Sequence, residues 1–247
     1  MRITKKLVTK IESLMKGGLS AGLGNPNEMM CVEAAVCAAL GLPHSDNPPC
    51  VGEAVRSFKI ALNDSEWSNP LARADGMRKI AIAQLGSDSL DQIEFTRRIS
   101  EKTIRILIPA LFREVFKDNE ACLKAADRCE TGVGAANASA AYAAYAASRA
   151  AAAASRAAYD YAYAAARAAA AASRAAAGTA AAGAAAASRA AARAARETTT
   201  INDYTSYAAY AASDKYLLLS AELCFQALNE MNSPGAVWME KNKWFIK

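Results

Sequence analysis

The first half of the chain holds one group of side chains whose types could support catalysis. Three thiols, two carboxylates and the only histidine of the sequence lie between residues 31 and 50: Cys31, Glu33, Cys37, His44, Asp46 and Cys50. His44 and Cys50 share one loop, and a helix is predicted to begin directly after Cys50. Because a helix N-terminus lowers the pKa of a thiol and an imidazole can act as its base, the pattern permits a cysteine-dependent enzyme.

The same residues also have a structural interpretation, which we prefer. Turn-forming and proline residues make the segment 45–49 a stiff loop, and Cys31 and Cys37 fit the interior of a helical core. A single histidine excludes the HExxH metalloprotease pattern, and no CxxC pair or GxxxxGK[ST] loop is present. We therefore predict no catalytic residue, no metal and no cofactor, and keep a site built on His44 and Cys50 as an alternative.

A second chemical pattern is a set of arginines and tyrosines in an alanine-rich segment. Of the 62 residues from 135 to 196, 40 are Ala, seven are Arg, one is acidic and none is Lys. This segment carries a charge of +6, whereas the whole chain carries +5. The binding residues predicted from it are Tyr142, Tyr145, Arg149, Arg156, Tyr163, Arg167, Arg174, Arg189 and Arg193.

The alanine content determines how these side chains would be arranged. Alanine has the highest helix propensity, so the segment is predicted to be helical. One rod of 62 residues would be about 93 Å long. We therefore expect a hairpin of two helices, or three shorter helices, with a break near Gly178 and Gly183. At about 100° per residue, the first four arginines lie within about 20° of one another. The resulting Arg/Tyr face is either a solvated surface or a recognition surface for an anion or an acidic protein.

Helical periodicity and capping signals extend over the rest of the chain. They predict helices over 2–16, 28–40, 51–62, 70–84, 87–109 and 110–130, and over 204–230. Asn25 and Asn69 are the expected caps of the second and fourth, Pro109 should kink or end the fifth, and the aromatic C-terminal tail should be a short strand or an extended arm. The fold class is therefore all-α, a multi-helix bundle or stack with a long Ala-rich helical hairpin. The expected domains are 1–130 and 131–247, either separate or packed as one.

Other features of the sequence concern its location. The N-terminal segment is basic, but charged residues interrupt it, so it does not fit a signal peptide. The longest uncharged run of the alanine segment, 175–188, is shorter than the roughly 20 residues that a membrane span needs. The sequence predicts a cytoplasmic protein without a membrane partner.

Two stretches resemble known proteins. The runs "AAYAAYAAS" and "YDYAYAAARAAAAAS" resemble Ala/Tyr-rich helical stretches of immunity proteins from bacterial toxin–immunity systems. The block "MMCVEAAVCAALGLPHSDNPPCVGEAVRSFKIALND" resembles alanine-rich bacterial and phage-borne proteins of uncharacterised activity. The resemblance implies a helical protein that acts by binding, in conflict between microbes or between phage and host, and it carries over no catalytic residue.

The sequence thus predicts a non-enzymatic helical binding protein that sequesters a toxin, an effector or a signal molecule. Its partner would be a protein or a small anionic ligand, and a homo-oligomer is compatible with the alanine-faced helices. Nucleotide or nucleic-acid binding through the Arg/Tyr face is an alternative. We rank it lower because one Arg every seven to eleven residues is sparse for a nucleic-acid surface.

Overall fold

A computed structural model of the chain describes residues 1–115, 120–131 and 206–244. The all-α prediction is confirmed: these residues form helices, and the only β pairing among them is one isolated bridge between Gly24 and Met30. None of the helices in these three ranges is both long and apolar enough to cross a membrane. The predicted Ala-rich hairpin lies outside the described residues and stays a prediction.

The described helices are α1 (Lys5–Met15), α2 (Val32–Leu40), α3 (Glu53–Asn63), α4 (Pro70–Ala83), α5 (Gln92–Lys102), α6 (Ile108–Val115), α7 (Glu120–Thr131), α8 (Ser206–Glu230) and α9 (Pro234–Lys241). A 3-10 turn at Ser87–Ser89 precedes α5, and a π-helical segment, Thr103–Leu107, joins α5 to α6. Residue contacts group the chain into two units, 1–95 with 221–247, and 96–220. This grouping differs from the division at residue 130 expected from the sequence, which stays a prediction.

In the first unit, α2 is the central helix. It packs against α1, α3 and α4, and α4 also contacts α1 and α9. Alanine, valine and cysteine cover almost its whole circumference, and seven of its nine residues are buried. A helix that is apolar on all sides is stable only when other helices surround it. This position explains why the one charged residue of α2, Glu33, is fully buried.

The helix starts follow local capping, but not always at the predicted residue. At α4 the prediction is confirmed, since the Asn69 side chain accepts hydrogen bonds from the backbone N–H groups of Leu71 and Ala72, both at 2.9 Å. At α2 the predicted start at Glu28 is wrong, because Asn25 forms a turn that the bridge to Met30 closes. The helix begins at Val32, and the Cys31 thiol caps it.

The C-terminal tail differs from its prediction. It is neither a strand nor an extended arm, because Pro234 occupies the first turn of α9, where its fixed φ and missing N–H are suitable. The Ser233 hydroxyl donates to the Ala83 carbonyl oxygen at 2.6 Å, and the Gly235 N–H donates to the Leu85 carbonyl oxygen at 2.8 Å. A side chain at Gly235 would place its Cβ 2.0 Å from the Ile82 carbonyl oxygen, so only glycine permits this close packing of α9 on α4.

In the second unit, α6 packs on α7 and both contact the π-helical segment. The predicted break at Pro109 takes the form of this segment. The Ile108 N–H reaches back to the Thr103 carbonyl oxygen, which widens the turn directly before the proline. Because proline has no N–H and its ring clashes with the preceding turn of a regular α-helix, the wider turn allows the chain to continue as a helix.

Candidate functional site

The arginines and tyrosines of the predicted Arg/Tyr face belong to the range 132–205. This range lies outside the residues that the structure describes, so the face stays a prediction. The residues of the alternative Cys/His site, in contrast, all belong to the described part of the chain.

His44 and Cys50 lie in the loop between α2 and α3. The Nε2 atom of His44 is 3.2 Å from the carbonyl oxygen of Gly24, which can only accept a hydrogen bond, so this nitrogen carries the proton. Its Nδ1 atom is buried without a hydrogen-bond partner among the described residues. Burial raises the pKa of the Cys50 thiol, although backbone N–H groups oppose the change. No hydrogen bond between the described atoms joins the imidazole to the thiol, and the thiol is protonated at neutral pH.

The other described cysteines are also buried thiols whose pKa values are raised. Burial raises the pKa of Cys31, even though its sulfur accepts a hydrogen bond from the Ala34 N–H at 3.4 Å. Burial raises the pKa of Cys37 to about 11, and those of Cys129 and Cys224 to about 12. Because the thiolate is the nucleophilic form, these thiols are poor nucleophiles at neutral pH. Their positions fit the structural interpretation of the sequence.

The most unusual polar cluster in the first unit is one that the sequence analysis did not identify. Glu33 on α2 and Lys59 on α3 are both fully buried, with the Lys59 Nζ atom 3.1 Å from the Glu33 Oε1 atom. Gln84, which follows α4, donates to Glu33 Oε2 at 3.1 Å. Although Nζ and Oε1 are close, they are not aligned as a hydrogen bond, and Gln84 Oε1 has no hydrogen-bond partner among the described residues. One polar cluster therefore joins three helices inside the core.

Burial acts on the ammonium group of this cluster. It lowers the pKa of Lys59, and the charge of the neighbouring Glu33 carboxylate opposes that change. Two charges removed from water need each other and further hydrogen bonds to offset the loss of hydration. We conclude that Glu33 and Lys59 are held as a mutually dependent pair that positions α2 against α3.

A small pocket lies at the N-terminal end of α2, beside Glu33. Its volume is about 40 Å³, room for roughly three water molecules. Asp64 at its wall accepts hydrogen bonds from the Gly22 N–H at 2.7 Å and from Asn63 Nδ2 at 2.9 Å. The Asn63 oxygen in turn accepts from the Val32 N–H at 3.3 Å. The chain itself thus uses these polar atoms, and among the described residues no group of His, Cys, Asp or Glu is placed to hold a metal ion.

Charged side chains of the second unit pair with one another. Arg113 bonds to both Asp127 and Glu130, and the hydrogen bond to Glu130 is the main cause of a raised Arg113 pKa. Tyr216 donates to Glu114 at 2.7 Å, and Lys215 pairs with the same carboxylate. Partial burial raises the pKa of Glu114, but these two hydrogen bonds outweigh it and hold that pKa below its usual value.

The described residues define a class of protein, an all-helical one whose buried polar groups hold its own helices together. No known family model, curated protein or solved structure matches the chain. Its function must therefore be inferred from its own residues.

Proposed function

We propose that this protein is a non-enzymatic helical binding protein that sequesters an anionic toxin, effector or signal molecule. The contact surface is the Arg/Tyr face of residues 135–196, and the setting is conflict between bacteria or between phage and host. The proposal extends to an immunity or anti-defence role, as the sequence resemblance implies. The proposal requires that the positive charge of 135–196 is not neutralised by the rest of the protein.

The observation that carries the proposal is the distribution of charge. The described residues contain 20 basic and 20 acidic side chains and are together neutral. Many of them pair internally, as Arg113 does with Asp127 and Glu130, and as Lys79 does with Glu222 at 2.8 Å. The segment 135–196, in contrast, contains seven arginines and only one acidic residue. Arginine at this density supplies planar donors for carboxylate or phosphate groups, and interspersed tyrosines supply stacking surfaces.

The protonated, buried thiols support binding over cysteine-dependent catalysis. A catalytic cysteine needs a thiolate or a base within hydrogen-bond reach, and the contacts of Cys50 and His44 provide neither. The variant Cys50→Ser should therefore keep whatever partner the wild type captures. Loss of function in this variant, with its fold retained, would favour the enzymatic alternative.

The test is capture of the partner by the full chain at constant ionic strength. The tract variant, Arg149→Gln, Arg156→Gln, Arg167→Gln and Arg174→Gln, should lose at least about tenfold in affinity, since each charged contact is worth about 0.5–1 kcal/mol or more. A matched control with the same loss of charge replaces Arg56, Arg128, Lys241 and Lys243 by Gln and should bind like wild type. Equal binding by the tract variant and the control would remove the Arg/Tyr face from the proposal.

A further inference from the structure

One side of α1 and the segment before it carry cations that have no carboxylate partner among the described residues. Arg2, Lys5, Lys6 and Lys16 are exposed, and none is within ion-pair distance of a carboxylate in the described part of the chain. A fifth cation, Lys10, donates to the Ala39 carbonyl oxygen at 3.2 Å and remains exposed. The four lysines, together with Arg2 in the segment just before the helix, form the α1 basic face.

The helical geometry places these side chains together. At about 100° and 1.5 Å per residue, the exposed polar residues from 5 to 16 fall within an arc of about 140° and extend about 17 Å along the axis. They are Lys5, Lys6, Thr9, Lys10, Ser13 and Lys16. Two hydroxyl groups are thus interleaved with the cations on one continuous surface.

The opposite side of α1 is already used by the fold. Val8, Ile11 and Met15 are buried in the contacts with α2 and α4. The only carboxylate of the helix, Glu12, pairs with Arg78. Within the described part of the chain, no carboxylate pairs with the α1 basic face, and the apolar side of the helix is covered by protein.

Folding does not account for this arrangement. Lys5 and Lys6 occupy the first turn, where no acidic residue balances the positive end of the helix dipole. Lys6 and Lys10 are like charges spaced four residues apart, which is unfavourable on a helix. Both features oppose helix stability, so the local energetics of α1 do not explain the cations at positions 5, 6 and 10.

We propose that the α1 basic face binds the sugar–phosphate backbone of nucleic acid without reading its sequence. Lysine ammonium groups act as point charges on phosphate, and Ser and Thr hydroxyls are common phosphate donors. About ten phosphate charges lie along 17 Å of a duplex, enough to match five cations. This function is independent of the Arg/Tyr face and goes beyond the proposed sequestration.

An acidic protein and an anionic membrane fit these observations less well. Protein interface cores are depleted of lysine and enriched in aromatic residues, which are absent from α1. Amphipathic helices that bind lipid insert their apolar side into the membrane, and in α1 that side is buried against α2 and α4. Binding to the duplex backbone requires only cations and hydroxyl groups, and the α1 basic face has both.

The experiment measures binding of the full chain to a fluorescent duplex of about 24 base pairs, by anisotropy, from about 50 to about 200 mM KCl. The α1 variant replaces Arg2, Lys5, Lys6 and Lys16 by Gln. Its plot of log affinity against log salt should be shallower than that of wild type by about 3.6, since each phosphate contact contributes about 0.9. The charge-matched control used above, at Arg56, Arg128, Lys241 and Lys243, should keep the wild-type slope.

Further arms keep the result unambiguous. Two duplexes of unrelated sequence should bind within about threefold of each other, as backbone contacts require. Lys6→Gln with Lys16→Gln is a milder variant in case the fourfold one fails to fold, and its slope should change by about 1.8. The same variants are also tested for binding to phosphatidylserine vesicles. An unchanged slope in the α1 variant, an equal change in the control, or a loss of vesicle binding without any change in duplex binding would each overturn the proposal. The tract variant should keep the α1-dependent part of the slope even if it loses its captured partner, so the two proposals can fail separately.

Discussion

The buried pair of Glu33 and Lys59 offers the sharpest test of the physical reasoning. Replacing Lys59 by Met keeps the side-chain volume and removes the ammonium group. The Glu33 carboxylate then stays fully buried with only the Gln84 amide as a donor. Breaking a buried pair in this way costs about 3–5 kcal/mol, because one charge is left without compensation.

A matched hydrophobic variant separates two free-energy costs: that of leaving one charge without its partner, and that of burying the charged pair. Glu33→Leu with Lys59→Met removes both charges but leaves the Gln84 amide without its acceptor, which costs about 1–3 kcal/mol. Adding Gln84→Met removes that group as well. We expect the triple variant to unfold with a free energy within about 1 kcal/mol of wild type, or to be more stable, as replacements of buried ion pairs often are.

Urea unfolding of the full chain, followed by circular dichroism, measures these differences. For a chain of 247 residues, 3–5 kcal/mol corresponds to a loss of about 6–20 °C in Tm. The exposed control Lys16→Met should shift the free energy by no more than about 0.5 kcal/mol. A cost below about 1 kcal/mol for Lys59→Met, or a triple variant as unstable as the sum of its single changes, would refute the interdependence of the pair.

Three further predictions concern stability. Gly235→Ala should cost at least about 3 kcal/mol in urea unfolding, because its Cβ would meet backbone 2.0 Å away, whereas Gly17→Ala, with open space around it, should be nearly neutral. Asn69→Ala should cost about 1 kcal/mol in the same assay, and Asn69→Asp should restore most of it. The pKa of Cys224 is raised from 9.0 to about 12, so its contribution is complete below pH 9 and is lost as pH rises towards 12. Cys224→Ala should flatten this alkaline loss of Tm, and an unchanged pH profile would contradict the shift.

Most helices of the described part could be predicted because their signals are local. The cap at Asn69, the proline after it and the apolar spacing of α1 and α3 act within a few residues. The start of α2 was predicted wrongly because a backbone bridge between residues six positions apart outweighs the Asn-Pro signal. The bridge between Gly24 and Met30 turns the chain back before the helix can begin.

The buried pair could not be predicted in full from the sequence, although part of its signal is visible there. Glu33 is the only charge in an apolar helix, and this pattern indicates that it must find a partner. Lys59 adjoins the apolar side of α3, next to Phe58 and one turn before Leu62. Which lysine meets which glutamate depends on the crossing of α2 and α3, and periodicity along one helix carries no information about that crossing.

Unfavourable electrostatics occur at two places in the first unit, and they have different explanations. At Glu33 and Lys59 the cost of burying charge is offset inside the protein, because each group provides the other's counter-charge. At Lys5 and Lys6 the dipole and the neighbouring cations oppose the charge, and the described residues provide no compensating carboxylate. The first pair has its counter-charge within the fold, whereas the described residues supply none for the second, and a bound anion would make that arrangement more favourable. For this reason the α1 basic face, and not the buried pair, indicates a partner outside the protein.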